Sequence, residues 1–188
     1  LYLHSSDPPI LHRDLKSANL LADKNWTCKV GDFGMSRVLD NTKSMTVCGT
    51  AETCAPEVLA RSNYTEKADV YSFGIVMWEV LTREVLYPGM NFYELSSKVV
   101  NEGLRPPLHP YNFPKEIKDL MTQCWDANPN NRPNFKYIAT FLETLHNELV
   151  KQKEQRRKSR HPSQSSRYYS SNPAAKGGHH PLDDDDDD

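Results

Sequence analysis

The apolar positions of this chain follow two rhythms. Between residues 20 and 60 they keep no helical period, and the stretch LLADKNWTCKVGDFG predicts two short strands around a turn at residues 23–25. From residue 66 onward the period is helical. Residues 66–82, EKADVYSFGIVMWEVLT, are apolar on nearly every side, through Val70, Phe73, Ile75, Val76, Met77, Val80 and Leu81. A helix without a polar face has to be buried. Ile117, Leu120, Met121, Cys124 and Trp125 recur at three- and four-residue steps and predict a surface helix with one apolar stripe, Pro114 falling in its first turn. Phe135, Ile138, Phe141, Leu142, Leu145 and Leu149 make a second stripe behind Pro133. Residues 91–103 predict a further helix, capped by Asn91 and stopped by Gly103. No internal repeat is visible. The expected fold class is α+β, mostly helical, with a small β element near the front.

Composition changes near residue 150. The remainder holds eight Lys/Arg against one Glu and six Asp, and almost no aliphatic side chains. Such a segment cannot offset the entropy of ordering. Residues 150–188 are therefore expected to form a disordered basic/acidic tail, solvated or used for docking or localisation, and residues 1–149 the folded domain. The net charge of −2 gives no reason to expect nucleic acid as a partner. No apolar run is long enough to predict a membrane contact in this segment. Cysteines 28, 48, 54 and 124 form no C-x-x-C pair and have no histidine cluster beside them. That argues against zinc or a disulfide framework and for free thiols in a reducing, cytoplasmic setting. His179 and His180 belong to the composition of the tail.

The candidate chemistry is concentrated before residue 60. His12-Arg13-Asp14 is followed by Lys16 and Asn19, then by Asp32-Phe33-Gly34, Gly49-Thr50 and Ala55-Pro56-Glu57. In this order and spacing the groups match the set H-R-D-L-x-x-x-N, D-F-G and A-P-E. The sequence thereby resembles the eukaryotic protein kinases, and most nearly the tyrosine-kinase-like group of serine/threonine kinases, over residues 1–149. The resemblance implies the C-terminal lobe of the kinase fold. It also implies transfer of the ATP γ-phosphate to serine or threonine hydroxyls of a protein substrate, with ATP and Mg²⁺ as cofactors.

Phosphoryl transfer needs positioning and charge neutralisation more than covalent help, and hard oxygen ligands suit the metal. By the resemblance, Asp14 accepts or orients the proton of the acceptor hydroxyl, and Lys16 places positive charge near the transferring phosphate. Asn19 and Asp32 hold magnesium, and Leu21 lies beneath the adenine. An ordinary aspartate is ionised at pH 7 and needs no large pKa shift for its role. Asp69 is expected to tie down the catalytic loop through its backbone, and Glu57 and Arg132 to form a buried ion pair at the end of the activation segment. Lys16 stands where dedicated tyrosine kinases carry Ala, and Thr50 is expected to bond Lys16 and Asp14. Both point to Ser/Thr acceptors, with dual specificity left open.

Arg13 directly before Asp14 implies a switch in which a phosphate on the activation segment binds the arginine. Among Ser36, Thr42, Ser44, Thr46 and Thr50, the expected phosphosite is Thr46, three residues before Gly49. One departure stands out. Thr53 and Cys54 occupy the places where the family has an aromatic and then an aliphatic residue, the wall that receives the residue after the phosphoacceptor. No peptide specificity is therefore implied. The opening LYLH resembles the end of the helix ahead of the catalytic loop, and no G-x-G-x-x-G loop, V-A-I-K lysine or partner glutamate precedes it. An incomplete gene product, inactive alone, is expected. The alternatives are a non-catalytic kinase-like scaffold, disfavoured by the intact Asp14, Asn19 and Asp32, and a truncated regulator.

Overall fold

A computed structural model of the chain describes residues 1–39 and 49–160. Four short strands, β1 (Ile10–Leu11), β2 (Leu20–Ala22), β3 (Cys28–Val30) and β4 (Arg37–Val38), form two antiparallel ribbons, β1 with β4 and β2 with β3. The second ribbon is the predicted hairpin, with Leu20 opposite Val30 and Ala22 opposite Cys28. Its turn is closed by the Asp23 carboxylate, which accepts from the Asn25 and Thr27 amides at 2.8 and 2.9 Å. The first ribbon is two residues per strand, too short to leave a period in the sequence.

The helices are α1 (Pro56–Leu59), α2 (Lys67–Thr82), α3 (Phe92–Asn101), α4 (Lys115–Cys124) and α5 (Phe135–Arg160). α2 is the buried helix that its composition predicts. Val70 and Ile75 retain no exposed surface, and Tyr71, Val76 and Trp78 are almost as deep. Its last turn departs from that expectation: Val80 and Leu81 are about half exposed, because this end of α2 runs beyond the side chains that cover the rest. The helix then stops at Arg83, whose left-handed backbone (φ 61°) returns its amide to the Glu79 carbonyl.

Two apolar clusters flank α2. One gathers Leu11, Ala55, Val58, Tyr64, Tyr71, Ile75, Trp78, Met121 and Trp125. The other joins Val70 to Leu120, Cys124 and Ile138, with Phe73, Phe135, Phe141 and Leu142 against it. α4 contributes to both, so its single stripe is well accounted for. Pro114 lies just before α4 rather than in its first turn, with extended backbone (ψ 141°), and its carbonyl accepts from the Lys118 amide. A proline fixes φ at a value that serves either place. Asn91 caps α3 by accepting from the Glu94 amide at 3.0 Å, and Gly103 turns the chain out of it at φ 69°.

The helix outlasts the change of composition near residue 150. α5 continues ten residues past it, through KQKEQRRKSR. These are strong helix formers, and a helix already nucleated by its packed first half can add them without a new nucleation cost. Two compact units divide the chain, Leu1–Thr144 and Leu145–Asp188, the second described as far as Arg160. Among the described residues no helix is long and apolar enough to cross a membrane. Cys28 and Cys124 are free thiols, and burial pushes the pKa of Cys124 up to about 12.

The contact between α2 and α4 is backbone-close. A Cβ added at Gly74 would lie 2.8 Å from the Cβ of Cys124. Gly74→Ala is expected to cost about 1–3 kcal/mol by overpacking, seen as a lower midpoint in urea unfolding. An unchanged midpoint would mean that the two helices are not in this contact.

Candidate active site

The site is built on a buried carboxylate. Asp69 lies in the first turn of α2 and is 3% exposed. Its Oδ1 accepts from the Arg13 amide at 2.9 Å, and its Oδ2 from the His12 amide at 2.8 Å and from His4 Nε2 at 2.7 Å. A carboxylate buried this deeply requires such partners. The loop requires the carboxylate in turn, because Arg13 is held at φ 67°. That left-handed conformation is disfavoured for a side chain of this size and persists only when neighbouring bonds over-determine it.

One residue on, Asp14 is 7% exposed and receives several donors. Its Oδ1 accepts from the Thr50 amide at 2.9 Å and from the Thr50 hydroxyl at 2.8 Å. Its Oδ2 pairs with Lys16 Nζ at 2.8 Å and lies 3.3 Å from Asn19 Nδ2. Lys16 Nζ also donates to Thr50 Oγ1 at 2.9 Å, so lysine, threonine and aspartate close a triangle. Gly49 lets the chain come this near. At φ 94°, a Cβ there would sit 2.4 Å from the Arg13 carbonyl oxygen. Burial by itself would raise the Asp14 pKa; the hydrogen bonds from Lys16 and Thr50 and the Lys16 charge outweigh it and hold the carboxyl below its usual value.

Asn19 is buried, and its Nδ2 also donates to the Asp14 carbonyl at 2.9 Å, which turns its amide oxygen away from Asp14. Its backbone carbonyl accepts from the Gly31 amide at 2.8 Å. Asp32 follows in an exposed, left-handed position (φ 59°), with one carboxylate oxygen accepting from Gly34 at 3.3 Å. Both neighbours of Asp32 touch His12: the Gly31 carbonyl accepts from His12 Nε2 at 3.0 Å, and the Phe33 ring meets the imidazole edge-on at 5.3 Å. The hairpin of β2 and β3 thus brings the segments carrying Asn19 and Asp32 to one end. Leu21, on β2 opposite Lys29, is 62% exposed.

The described residues contain no group of three His, Cys, Asp or Glu that could hold a metal unaided. Asp32 and Asn19 nevertheless fit magnesium in kind. They offer a carboxylate and an amide oxygen, hard donors that leave most of an octahedron for phosphate and water.

Glu57 and Arg132 form a two-pronged pair, NH1 to Oε1 at 2.6 Å and NH2 to Oε2 at 2.8 Å. Arg132 is 1% exposed and donates further to the carbonyls of Asp126 and Lys67. The Arg13 side chain donates to the Met35 carbonyl at 2.6 Å and to the Tyr64 hydroxyl at 3.2 Å. Thr46 lies outside the described residues. Thr53 and Cys54 are both buried, the Thr53 carbonyl accepting from the Ser72 hydroxyl at 2.7 Å. Sequence reasoning misses His4, Tyr64, Lys67 and Ser72. Each is a lone polar residue whose partner lies far along the chain, and no spacing rule points to it.

A family model of protein tyrosine and serine/threonine kinases matches residues 1–142, and the chain belongs to that family. It is 46% identical over 154 residues to the probable serine/threonine-protein kinase drkD of Dictyostelium discoideum, covering 82% of this chain and 12% of drkD. It is 48% identical over 145 residues to drkB of the same organism, again a probable serine/threonine-protein kinase, covering 77% of this chain and 21% of drkB. The dual specificity protein kinase shkA, also from Dictyostelium discoideum, is 44% identical over 151 residues, covering 77% of this chain and 28% of shkA. The chain thus spans between 12% and 28% of the length of these relatives.

The lowered Asp14 pKa has a sign that acid unfolding can check. A carboxyl lower in the folded chain than its unfolded value of about 3.9 contributes stability above that pH and loses it as pH falls through the folded value. Thr50→Val removes one of the bonds that lower it. The variant should therefore lose more stability relative to the parent at pH 7 than at pH 2. An equal loss at both would show that Thr50 does not act on the ionised carboxylate.

Proposed function

We propose that this chain carries the catalytic-loop lobe of a serine/threonine protein kinase, which transfers the γ-phosphate of ATP to protein hydroxyls. The observation that carries the reading is the Lys16–Thr50–Asp14 triangle, set on a loop whose backbone is held by Asp69. The relatives' names, serine/threonine for drkD and drkB and dual specificity for shkA, support the acceptor class. Residues 1–149 form the domain in this reading, a member of the tyrosine-kinase-like group.

Asp14 accepts or orients the hydroxyl proton. Of its donors Asn19 is the most distant, at 3.3 Å, so Oδ2 is the oxygen that an incoming hydroxyl takes with least loss. The carboxylate is ionised at neutral pH, as an ordinary aspartate is, and Lys16 and Thr50 offset the burial that would raise its pKa. Lys16, already 2.8 Å from Asp14, keeps its positive charge beside the transferring group as negative charge accumulates there. Asn19 and Asp32 supply oxygen ligands for magnesium. When bound, the metal neutralises phosphate oxygens of the nucleotide. The exposed apolar face of Leu21 receives the adenine. Arg13 answers a phosphate on Thr46, giving up its bonds to Met35 and Tyr64.

The test is Asp14→Asn in the natural gene product that contains this chain, with transfer from γ-labelled ATP to serine, threonine and tyrosine peptides. Removing a general base should lower turnover about 100- to 10,000-fold, with nucleotide binding retained. Equal turnover in parent and variant would eliminate the catalytic assignment. Absence of transfer in both would favour the scaffold.

A further inference from the structure

The second unit of the chain, Leu145–Asp188, carries a helix face that stays exposed while its chemistry changes. Leu149 and Val150 of α5 are 54% and 40% exposed, and Lys153, Arg156 and Arg157 beyond them are exposed as well. Leu149, Lys153, Arg156 and Arg157 recur at three- and four-residue steps and share one side of the helix, which turns from apolar to basic along its length. Val150 borders that side, and Glu148 and Glu154 fall outside it. Among the described residues no hydrogen bond or ion pair reaches the side chains of Lys153, Arg156 or Arg157.

Like charges at these steps repel one another and weaken a helix. Burial does not offset them, because the apolar stripe ends at Val150. The helix dipole does not reach Lys153 either: its effect is confined to the last turn, and α5 runs on to Arg160. An opposite charge would stabilise this face, and the sequence of the same unit holds one. Residues 183–188 are six consecutive aspartates behind Leu182, outside the described residues. We propose that this segment docks on α5 of its own chain, its carboxylates against Lys153, Arg156 and Arg157 and Leu182 against Leu149 and Val150. The two partners agree in order as well as in sign, since the helix face runs apolar then basic and the segment apolar then acidic. The reach is sufficient. Residues 161–182 join Arg160 to Asp183, and a coil of that length spans about 25 Å, against roughly 10 Å back along the helix from Arg160 to Lys153. An external polyanion would meet the same cations, but the aspartate run is tethered to them, at an effective concentration on the order of 1 mM. The contact joins exposed charges, so it is populated at low salt and lost at high salt.

The test is made on the full ¹⁵N-labelled chain at low ionic strength, by amide NMR. Changing all six residues 183–188 from Asp to Asn should shift the amides of residues 149–157 and leave those of α4 in place. Salt at about 1 M, where charges are screened beyond ~3 Å, should move the parent's amides to the positions seen in the variant. A charge swap separates docking from a general effect on the helix. Lys153→Glu, Arg156→Glu and Arg157→Glu together should abolish the salt-dependent shift at Leu149 and Val150, which lie outside the substituted positions. Adding Asp→Lys at all six positions 183–188 should restore it. Amides of 149–157 that ignore the six Asn substitutions, or a swap that restores nothing, would overturn the proposal. Shifts that fade on ten-fold dilution would assign the face to a second copy of the chain and overturn it as well, whereas shifts independent of concentration support docking within one chain. Amides that ignore the Asn substitutions but move on adding phosphatidylserine vesicles would give the face to a membrane surface instead.

Discussion

One buried charge organises this molecule. Asp69 is carried by the most deeply packed helix and is almost sealed from water, so its oxygens must be satisfied by protein groups. They are satisfied by the backbone of the loop that holds the candidate chemistry. The dependence runs both ways. α2 cannot bury its first turn without the loop, and the loop cannot hold Arg13 in a left-handed conformation without α2. The hydrophobic core is thereby coupled to the reactive end through two hydrogen bonds rather than through a long lever.

From that anchor the remaining geometry follows outward. With Arg13 turned, Asp14 faces the segment at Gly49 and Thr50, and the absence of a side chain at Gly49 permits the approach. The triangle of Lys16, Thr50 and Asp14 then ties the loop to the chain entering α1. Glu57, in α1, is held by the buried Arg132 ahead of α5, which also donates to the Lys67 carbonyl at the start of α2. Both ends of the segment from 49 to 57 are therefore fastened to the same helical body. Breaking one partner of the Glu57–Arg132 pair strands a buried charge, which is far more costly than exchanging both for apolar groups.

The helices were readable wherever packing imposes a period. The all-round apolar stretch in α2, the stripe of α4 and the Asn91 cap need only local rules, and the local rules hold. The extent of α5 was not readable, because the loss of aliphatic residues after 150 ends the burial but not the helix. At the site, the motif residues with side chains in contact, Asp14 with Lys16 and Thr50 and Glu57 with Arg132, were legible through the family resemblance. Physical pattern alone would not have paired Glu57 with Arg132 across 75 positions. His4, Tyr64 and Ser72 were invisible for the same reason: their bonds are long-range and polar, and the sequence marks neither partner.

The central claim is that Asp69, from within the core, sets the environment of Asp14. Asp69→Asn is close in shape but offers an N–H where two amides are aimed. Carbon-13 NMR of the Asp14 side-chain carboxyl, titrated in the parent and in this variant, reads the coupling directly. The account predicts that the Asp14 titration moves up toward the ordinary aspartate value in the variant, as Thr50 and Lys16 lose their register. An Asp14 that still titrates below the ordinary range there, as in the parent, would contradict it.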